Sequence, residues 1–343
     1  MGTEAGRSPR VHSSARADFR LFQEELYPAW EKKFAVGGTG EFGYLPGSHT
    51  CSYGTTDTLI SRFTMGDLSL TEAEKDAWAA VINRFQQTDG WYGKSHTRHS
   101  RPHTTAYATA ALTLIGRSPS RPFAWADAIL RDRAAMEAWI RGPHWSLAWP
   151  GSHVISGVPA ALAMTRAAPE RFFDWYFDWL DREADAGSGF WLRGAVHRLG
   201  IIRTPTKHEM GGAFHMFYVY AFFRRPWQHA REVVDHALRL QHANGLWDRD
   251  IPYCIDLDGL YCAARSSRLA GGYRADDVRA AAEAFLSTTA RVLNDPRALV
   301  RCYPNTHRLT GALSAVAECQ RAWPELVRTA RPWTQSLDIA PFI

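Results

Sequence analysis

The chain reads QQTDGW at residues 86–91 and later QHANGLW at residues 241–247. A weaker copy, DAGSGFW, occupies residues 185–191. In each copy a helical stretch ends, glycine and tryptophan follow, and a second helical stretch opens with small or polar residues. Phrases that recur with a period of about 20 to 50 residues are typical of repeat arrays and closed rings. The phrase therefore predicts helical hairpins repeated along the chain.

Six apolar segments are predicted to be the inner helices of these hairpins. They begin near Thr55, Thr104, Gly157, Gly211, Asp256 and Leu309. Amphipathic stretches between them are predicted to be outer helices, at residues 70–86, 123–141, 169–182, 227–241 and 275–294. Thr71 followed by Glu74 fits a capping box at the first of these. Six inner and about six outer helices predict an all-α fold, an α/α toroid, with an open helical solenoid as the alternative.

The composition is that of a globular protein, with 343 residues, 45% of them hydrophobic and 22% charged. Residues 1–16 are rich in Gly, Ser and Arg and are predicted to be a disordered tail. Residues 17–343 are predicted to form a single toroid domain. Within it, apolar spacing predicts a helix over residues 18–34, and glycines predict a loop over residues 37–54.

Charge and cysteine content limit the classes of partner and compartment. The net charge of +5 comes mostly from scattered arginines, without a basic helix or zinc-finger spacing, so we expect no nucleic-acid partner. The N-terminus has no apolar segment like that of a signal peptide, and no apolar stretch approaches about 18 residues. We therefore expect neither a signal peptide nor an integral membrane span. Five cysteines without a CxxC pair favour a reducing, cytoplasmic compartment. The oligomeric state stays open.

The site is expected where the inner helices begin. In a ring these helices point the same way, and their N-termini carry partial positive charge and free N–H groups. The acid–base candidates at these starts are Asp57, His103, Glu209, Asp256, Asp258 and His307. The candidates for binding a small-molecule substrate are Tyr53, Trp145, Trp149, His153, His208, Tyr253 and Asn305.

Asp256 and Asp258 are the sharpest local signal. Two crowded carboxylates at a helix start can share a proton, which raises the pKa of one and makes it a general acid. Apolar neighbours such as Ile255 and Leu257 add desolvation. The alternative is that Asp256 is simply a helix cap and Asp258 a first-turn acid.

The glutamine–glycine–tryptophan phrases resemble the repeats of terpenoid cyclases and of protein prenyltransferase β-subunits, which share an α/α toroid. Asp256-Leu257-Asp258-Gly259 resembles the acidic motif of class II cyclases. By that resemblance Asp258 would protonate an isoprenoid alkene and Asp256 would be its partner. We predict no cofactor; by similarity to the zinc-binding members, the alternative would be zinc held by Cys254, Asp256 and His307.

Two other hypotheses for the function remain open beside the cyclase: a carbohydrate-active enzyme and a non-catalytic binding platform. A carbohydrate-active α/α barrel could hydrolyse a saccharide with two of Asp57, Glu209 and Asp258, over a floor of Trp145, Trp149 and Trp191. A lyase or epimerase of the same class would use histidine and tyrosine as base and acid; the candidates are Tyr53, His103, His153, His208 and His307. A non-catalytic toroid that serves as a binding platform is the third reading. The relative order of the repeat phrase and the acidic motif favours the cyclase.

Overall fold

The computed structural model describes residues 16–93 and 99–343. Within these residues the chain forms fifteen α-helices, named α1 to α15 in chain order, and two strands of two residues each. This confirms the all-α class. The predicted tail lies outside the described residues, apart from Arg16. No helix in the described part of the chain is long and apolar enough to cross a bilayer.

Six long helices form the interior, and each is buried over most of its surface. They are α2 (Ser52–Thr64), α4 (Arg101–Leu114), α7 (Ala148–Thr165), α10 (Lys207–Phe222), α12 (Cys254–Leu269) and α15 (Thr306–Ala322). Along this series each helix contacts the next, and α15 contacts α2. The contacts between these six helices therefore follow a closed cycle.

The remaining helices lie between these six along the chain. They are α1 (Tyr27–Glu31), α3 (Glu72–Asn83), α5 (Asp127–Leu130), α6 (Arg133–Ile140), α8 (Glu170–Glu183), α9 (Ala195–Arg198), α11 (Ala230–Leu240), α13 (Ala275–Leu293) and α14 (Pro296–Cys302). Four of the five predicted outer helices agree with α3, α8, α11 and α13 to within a few residues. The predicted capping box at Thr71 and Glu74 is present, with both hydrogen bonds formed.

Two helices differ from the prediction. The helix predicted over residues 18–34 is shorter: helical structure runs without a break from residue 20 to residue 31 and includes a π-helical turn over Phe22–Leu26 before α1. Pro28 lies two residues after that turn and has no N–H to donate to an α-helical ladder. Residues 123–141 break at Asp132, whose side chain accepts a hydrogen bond from the Ala135 N–H and so starts a new helix, α6.

The inner helices begin earlier than predicted, and α7 begins nine residues before Gly157 (157 − 148). Prolines are common in the loops that connect helices. Pro150 instead lies in the first turn of α7, where its missing N–H costs nothing. Gly157 lies inside the helix, where a Cβ would come within 3.1 Å of the Pro102 carbonyl and within 3.4 Å of Ala106. The glycine thus lets α4 and α7 approach closely.

The repeated phrase builds the same turn in both strong copies. Gly90 and Gly245 have φ angles of +89° and +84°, a left-handed conformation that glycine adopts without strain. Gln86 Nε2 donates to the carbonyls of Gly90 (3.0 Å) and Arg121 (2.9 Å). Gln241 Nε2 likewise donates to Gly245 (2.8 Å) and Ala281 (2.9 Å). The glutamine therefore fastens its own turn to the segment that follows the next inner helix.

Gln86, not Gln87, makes these bonds, and its replacement tests their importance. Its Oε1 also accepts from the Arg121 N–H (2.8 Å) and the Ser120 hydroxyl (3.0 Å). We expect Gln86→Ala to lower the free energy of unfolding by about 2–3 kcal/mol, because partly buried backbone groups lose their partners. Gln87→Ala, at the exposed neighbouring position, should change it by less than about 0.5 kcal/mol. Equal effects in urea denaturation would contradict this role for Gln86.

Residues from the two ends of the described chain are joined beside α2. The strands β1 (Ala17–Asp18) and β2 (Val327–Arg328) pair in parallel. Gln23 is fully buried; its Nε2 donates to the Met65 carbonyl (2.7 Å) and its Oε1 accepts from the Ala330 N–H (2.9 Å). These bonds join the C-terminal end of α2 to the segment that follows α15.

Candidate active site

A cavity of about 340 Å³ lies where the first turns of α4, α7, α12 and α15 meet. Its surface is mostly apolar, and α10 contributes part of the wall. Seven of the predicted site residues line it: His103, Trp149, His153, Tyr253, Asp258, His307 and the candidate zinc ligand Cys254. Helix starts that are far apart in the sequence therefore share one cavity.

Asp258 is the carboxyl group in the wall of this cavity. It is 1% exposed, and neither carboxyl oxygen has a hydrogen-bond partner on another described residue. Gly211 faces it, and a Cβ at position 211 would lie 2.6 Å from Oδ2. Burial, with a smaller contribution from the charge of Asp256, raises the pKa of Asp258 well above its ordinary value. Burial therefore favours the protonated form of this carboxyl group.

Asp256 has a different role, although it lies two residues away. Its Oδ1 accepts from the Trp247 N–H (2.6 Å) and its Oδ2 from the Tyr253 N–H (2.7 Å), so it caps α12 and holds the repeat turn against it. Burial raises its pKa to about 7, against the lowering effect of these backbone bonds. Asp256 is fully buried and is not part of the cavity wall. It is a positioning residue for α12 and adds negative charge beside Asp258.

Five histidines line the same cavity: His99, His103, His153, His215 and His307. His99 and His103 stack with their ring centroids 4.0 Å apart, and the His153 ring is 4.5 Å from His103. Burial, reinforced by neighbouring imidazoles, lowers the pKa of His99 to about 3 and those of His103 and His153 well below the ordinary value. Burial lowers the pKa of His215 to about 3. These four imidazoles are neutral at pH 7.

Asp57 and Tyr53 lie behind the histidines. Asp57 Oδ1 accepts from Tyr107 (2.6 Å) and His307 Nδ1 (2.9 Å), and its Oδ2 accepts from Thr306 (2.7 Å). Tyr53 Oη is 2.6 Å from His103 Nδ1. Both residues are fully buried and neither belongs to the cavity wall. They orient the imidazoles that reach it.

The structure places Glu209 and His208 at a second cavity, of about 410 Å³, which adjoins the first at Trp149 and Pro150. Glu209 completes a capping box at the start of α10 by accepting from the Thr206 N–H (2.9 Å). The loop that precedes α10 supplies much of this second wall, including Gly194, Val196 and Ile202. Glu209 and Asp57 therefore do not share the cavity wall with Asp258.

Three further predicted residues have structural contacts. Asn305 is the N-cap of α15 and accepts from the Arg308 N–H (3.0 Å). Trp145 donates its indole N–H to the Ile140 carbonyl (2.7 Å), and Trp191 donates to Leu180 (3.0 Å). None of the three lines the cavity that contains Asp258. Of the three tryptophans predicted to stack on a substrate, only Trp149 lines this cavity among the described residues.

The zinc ligands suggested by resemblance are not brought together. Both carboxylate oxygens of Asp256 accept hydrogen bonds from backbone N–H groups. Burial raises the pKa of the Cys254 thiol well above its ordinary value, which disfavours the thiolate that zinc would need. Among the described residues, one group of three potential ligands has its atoms close together, namely His99, His103 and His307. Its ligand atoms all lie within 4.8 Å of one another.

Several wall residues were not predicted as site residues, among them Tyr107, Phe214 and His215. His99, His103 and Tyr107 are spaced by four residues, and so are Gly211 and His215. That spacing places side chains on one face of a helix, and it continues the wall beyond the helix starts. If the four-residue spacing had been followed beyond the first turns of α4 and α10, it would have identified Tyr107 and His215.

No family model matches the chain, and no curated protein or solved structure is significantly similar to it.

Proposed function

We propose that this protein is an enzyme on an α/α toroid that protonates a carbon–carbon double bond of a small isoprenoid, with Asp258 as the proton donor. The observation that carries the proposal is a carboxyl group without a partner, buried in the wall of a mostly apolar cavity. A carboxyl group of this kind keeps its proton at neutral pH, which a general acid needs.

The cavity suits the cation that such a protonation produces. Trp149, Phe214, Tyr107 and Tyr253 line it, and aromatic faces stabilise positive charge in a desolvated site. Its volume of about 340 Å³ lies within the range of small-molecule sites. Neither Asp57 nor Glu209 shares the wall with Asp258, so the arrangement gives less support to hydrolysis by two carboxyl groups.

The reaction balances without a further reactant. The O–H bond of Asp258 breaks as a C–H bond forms, which leaves a carboxylate and a carbocation. An internal double bond attacks the cation and closes a ring. A neutral imidazole of the wall takes a proton from the carbon next to the final cation, forming a new double bond. The imidazole releases that proton to solvent, and Asp258 is reprotonated from solvent. The product is an isomer of the substrate.

Solvent isotope labelling tests this proposal directly. Linear prenyl alcohols and prenyl diphosphates of increasing chain length are incubated with the protein in D₂O, and the products are analysed by mass spectrometry. We expect a cyclic product with one deuterium on a carbon atom, because Asp258 exchanges its proton with solvent between turnovers. A product without carbon-bound deuterium would contradict protonation of the alkene, and no turnover on the whole panel would contradict the substrate class.

A second candidate is supported by the five histidines in the wall. With Tyr53 and Tyr107 beside them, they could serve as the acid and base of a saccharide lyase or epimerase. The same D₂O experiment with oligosaccharides distinguishes an epimerase from the cyclase. An epimerase incorporates deuterium at a sugar carbon, whereas the cyclase leaves saccharides unlabelled. If ligands bind but nothing turns over in either panel, the binding-platform reading is favoured.

A further inference from the structure

We propose that His99, His103 and His307 bind a divalent transition-metal ion, and that zinc is the ion that suits them best. One ring nitrogen of each lies within 4.8 Å of the others, at the edge of the cavity that contains Asp258. Imidazole nitrogen is a preferred ligand of zinc, and zinc sites that act in catalysis commonly use three protein ligands. The site goes beyond the proposed function and does not depend on the identity of the substrate.

The hydrogen bonds of His307 prepare it as a ligand. Its Nδ1–H donates to Asp57 Oδ1 at 2.9 Å, so the Nε2 lone pair is left for an ion. Asp57 is fixed in turn by the hydroxyls of Tyr107 (2.6 Å) and Thr306 (2.7 Å). A carboxylate that holds the far nitrogen of a histidine is the usual support of a zinc-bound imidazole, because it sets the tautomer and the ring orientation.

His103 has a comparable support. Its Nδ1 lies 2.6 Å from Tyr53 Oη, which also lies 3.4 Å from Thr104 Oγ1. When Tyr53 donates to Thr104, it accepts from the Nδ1–H of His103 and leaves Nε2 free to coordinate. The rings of His99 and Tyr53 stack with their centroids 5.4 Å apart, which holds His99 beside the other two imidazoles.

The site needs only small movements to close on an ion. Tetrahedral zinc with bonds of about 2.0–2.1 Å holds its ligand nitrogens about 3.4 Å apart. Side-chain rotations on the order of 1 Å bring the three nitrogens to that spacing. Three protein nitrogens leave the fourth position open toward the cavity. The ligand expected there is water or an oxygen atom of the substrate.

His215 provides a matched control within the same cavity. Its Nδ1 bonds Ser152 Oγ at 2.7 Å, but it does not belong to the group of three. His208, at the second cavity, provides a control outside the first. A specific site predicts that replacing either of these histidines leaves the ion affinity unchanged, whereas adventitious binding to any histidine would not distinguish them.

Metal titration of the full-length chain tests the proposal. After removal of metals with a chelator, zinc and cobalt(II) are titrated by calorimetry and by visible absorption. We expect one equivalent to bind, with the absorption of tetrahedral cobalt. His103→Gln and His307→Gln should each weaken binding at least about 100-fold, and Asp57→Asn should weaken it about 10–100-fold. His215→Gln and His208→Gln should bind as the wild type does.

Thermal unfolding keeps the test valid if a variant is less stable. Zinc should raise the Tm of the wild type and of His215→Gln, but not that of His307→Gln or His99→Gln, because only an ion that binds the folded state stabilises it. The proposal is overturned if the wild type binds no ion, if His307→Gln and His99→Gln retain wild-type affinity, or if His215→Gln loses as much affinity as they do.

Discussion

Asp258→Asn should abolish turnover while the protein stays folded. The amide has nearly the same shape as the protonated carboxyl group but cannot transfer a proton to an alkene, so we expect a loss of at least about 10³-fold in kcat. The measurement is the rate of product formation with the substrate found in the D₂O experiment. Asp248→Asn, in the loop that precedes α12 and partly exposed, is the matched control and should keep wild-type activity. An active, folded Asp258→Asn variant would remove Asp258 as the proton donor.

The same substitution should also stabilise the protein at neutral pH. At pH 7 the unfolded chain has an ionised Asp258, whereas burial in the folded protein raises the pKa of Asp258 and favours its protonated form. Folding therefore takes up a proton, and the native state loses about 1.4 kcal/mol for each unit by which pH exceeds the unfolded value, up to the folded pKa. Asparagine removes this penalty. We expect the Tm of Asp258→Asn to exceed that of the wild type at pH 7, and the difference to shrink as pH falls toward 4.

Arg265→Met should destabilise the protein strongly. Arg265 on α12 donates to Glu318 on α15 at 2.9 and 2.8 Å, and both side chains are buried. Removing the arginine leaves a buried carboxylate with less compensation, which we expect to cost about 3–5 kcal/mol of unfolding free energy in urea denaturation. Arg279→Met, in a partly exposed ion-pair group, should cost less than about 1 kcal/mol. Comparable losses in the two variants would contradict the argument.

The pH dependence of the unfolding free energy should show that Glu318 is the group whose ionisation makes the ion pair stabilising. Burial alone would raise its pKa, but the charges and hydrogen bonds of Arg265 and Arg321 bring it well below the ordinary value of 4.5. A lowered pKa contributes stability above pH 4.5 that is lost as pH falls through the folded pKa. The stability difference between the wild type and Glu318→Gln should therefore be largest near neutral pH and decrease below pH 4.5.

The repeat phrase and the apolar segments were enough to predict the helical hairpins, because helix periodicity and glycine turns are local properties. The predicted start of α7 was wrong. In the sequence, a proline in the first turn of a helix looks the same as a proline in the loop before a helix. The interruption at residues 123–141 depends on one capping bond at Asp132. Such single bonds decide helix boundaries and leave little trace in hydrophobic spacing.

The site was predicted in outline for a similar reason. Helix starts indicated Asp258, His103 and His307, but the sequence could not indicate which carboxyl groups lack partners. Asp256 and Asp258 look equivalent in sequence; in the structure three backbone N–H groups bond Asp256 and none from another residue reaches Asp258. That difference arises from the return of the Trp247 turn onto α12, a tertiary contact.

The hydrogen bonds of Gln23 have a consequence for how the protein unfolds. A linear array of repeats can fray from its outermost units, because each end has only one neighbour. In a closed cycle of contacts every inner helix has two neighbours, and no helix is an outermost unit. Amide hydrogens of the six inner helices should therefore exchange with one common free energy of opening. Gln23→Ala, which weakens the closure, should convert this single value into a gradient that is lowest in α2 and α15.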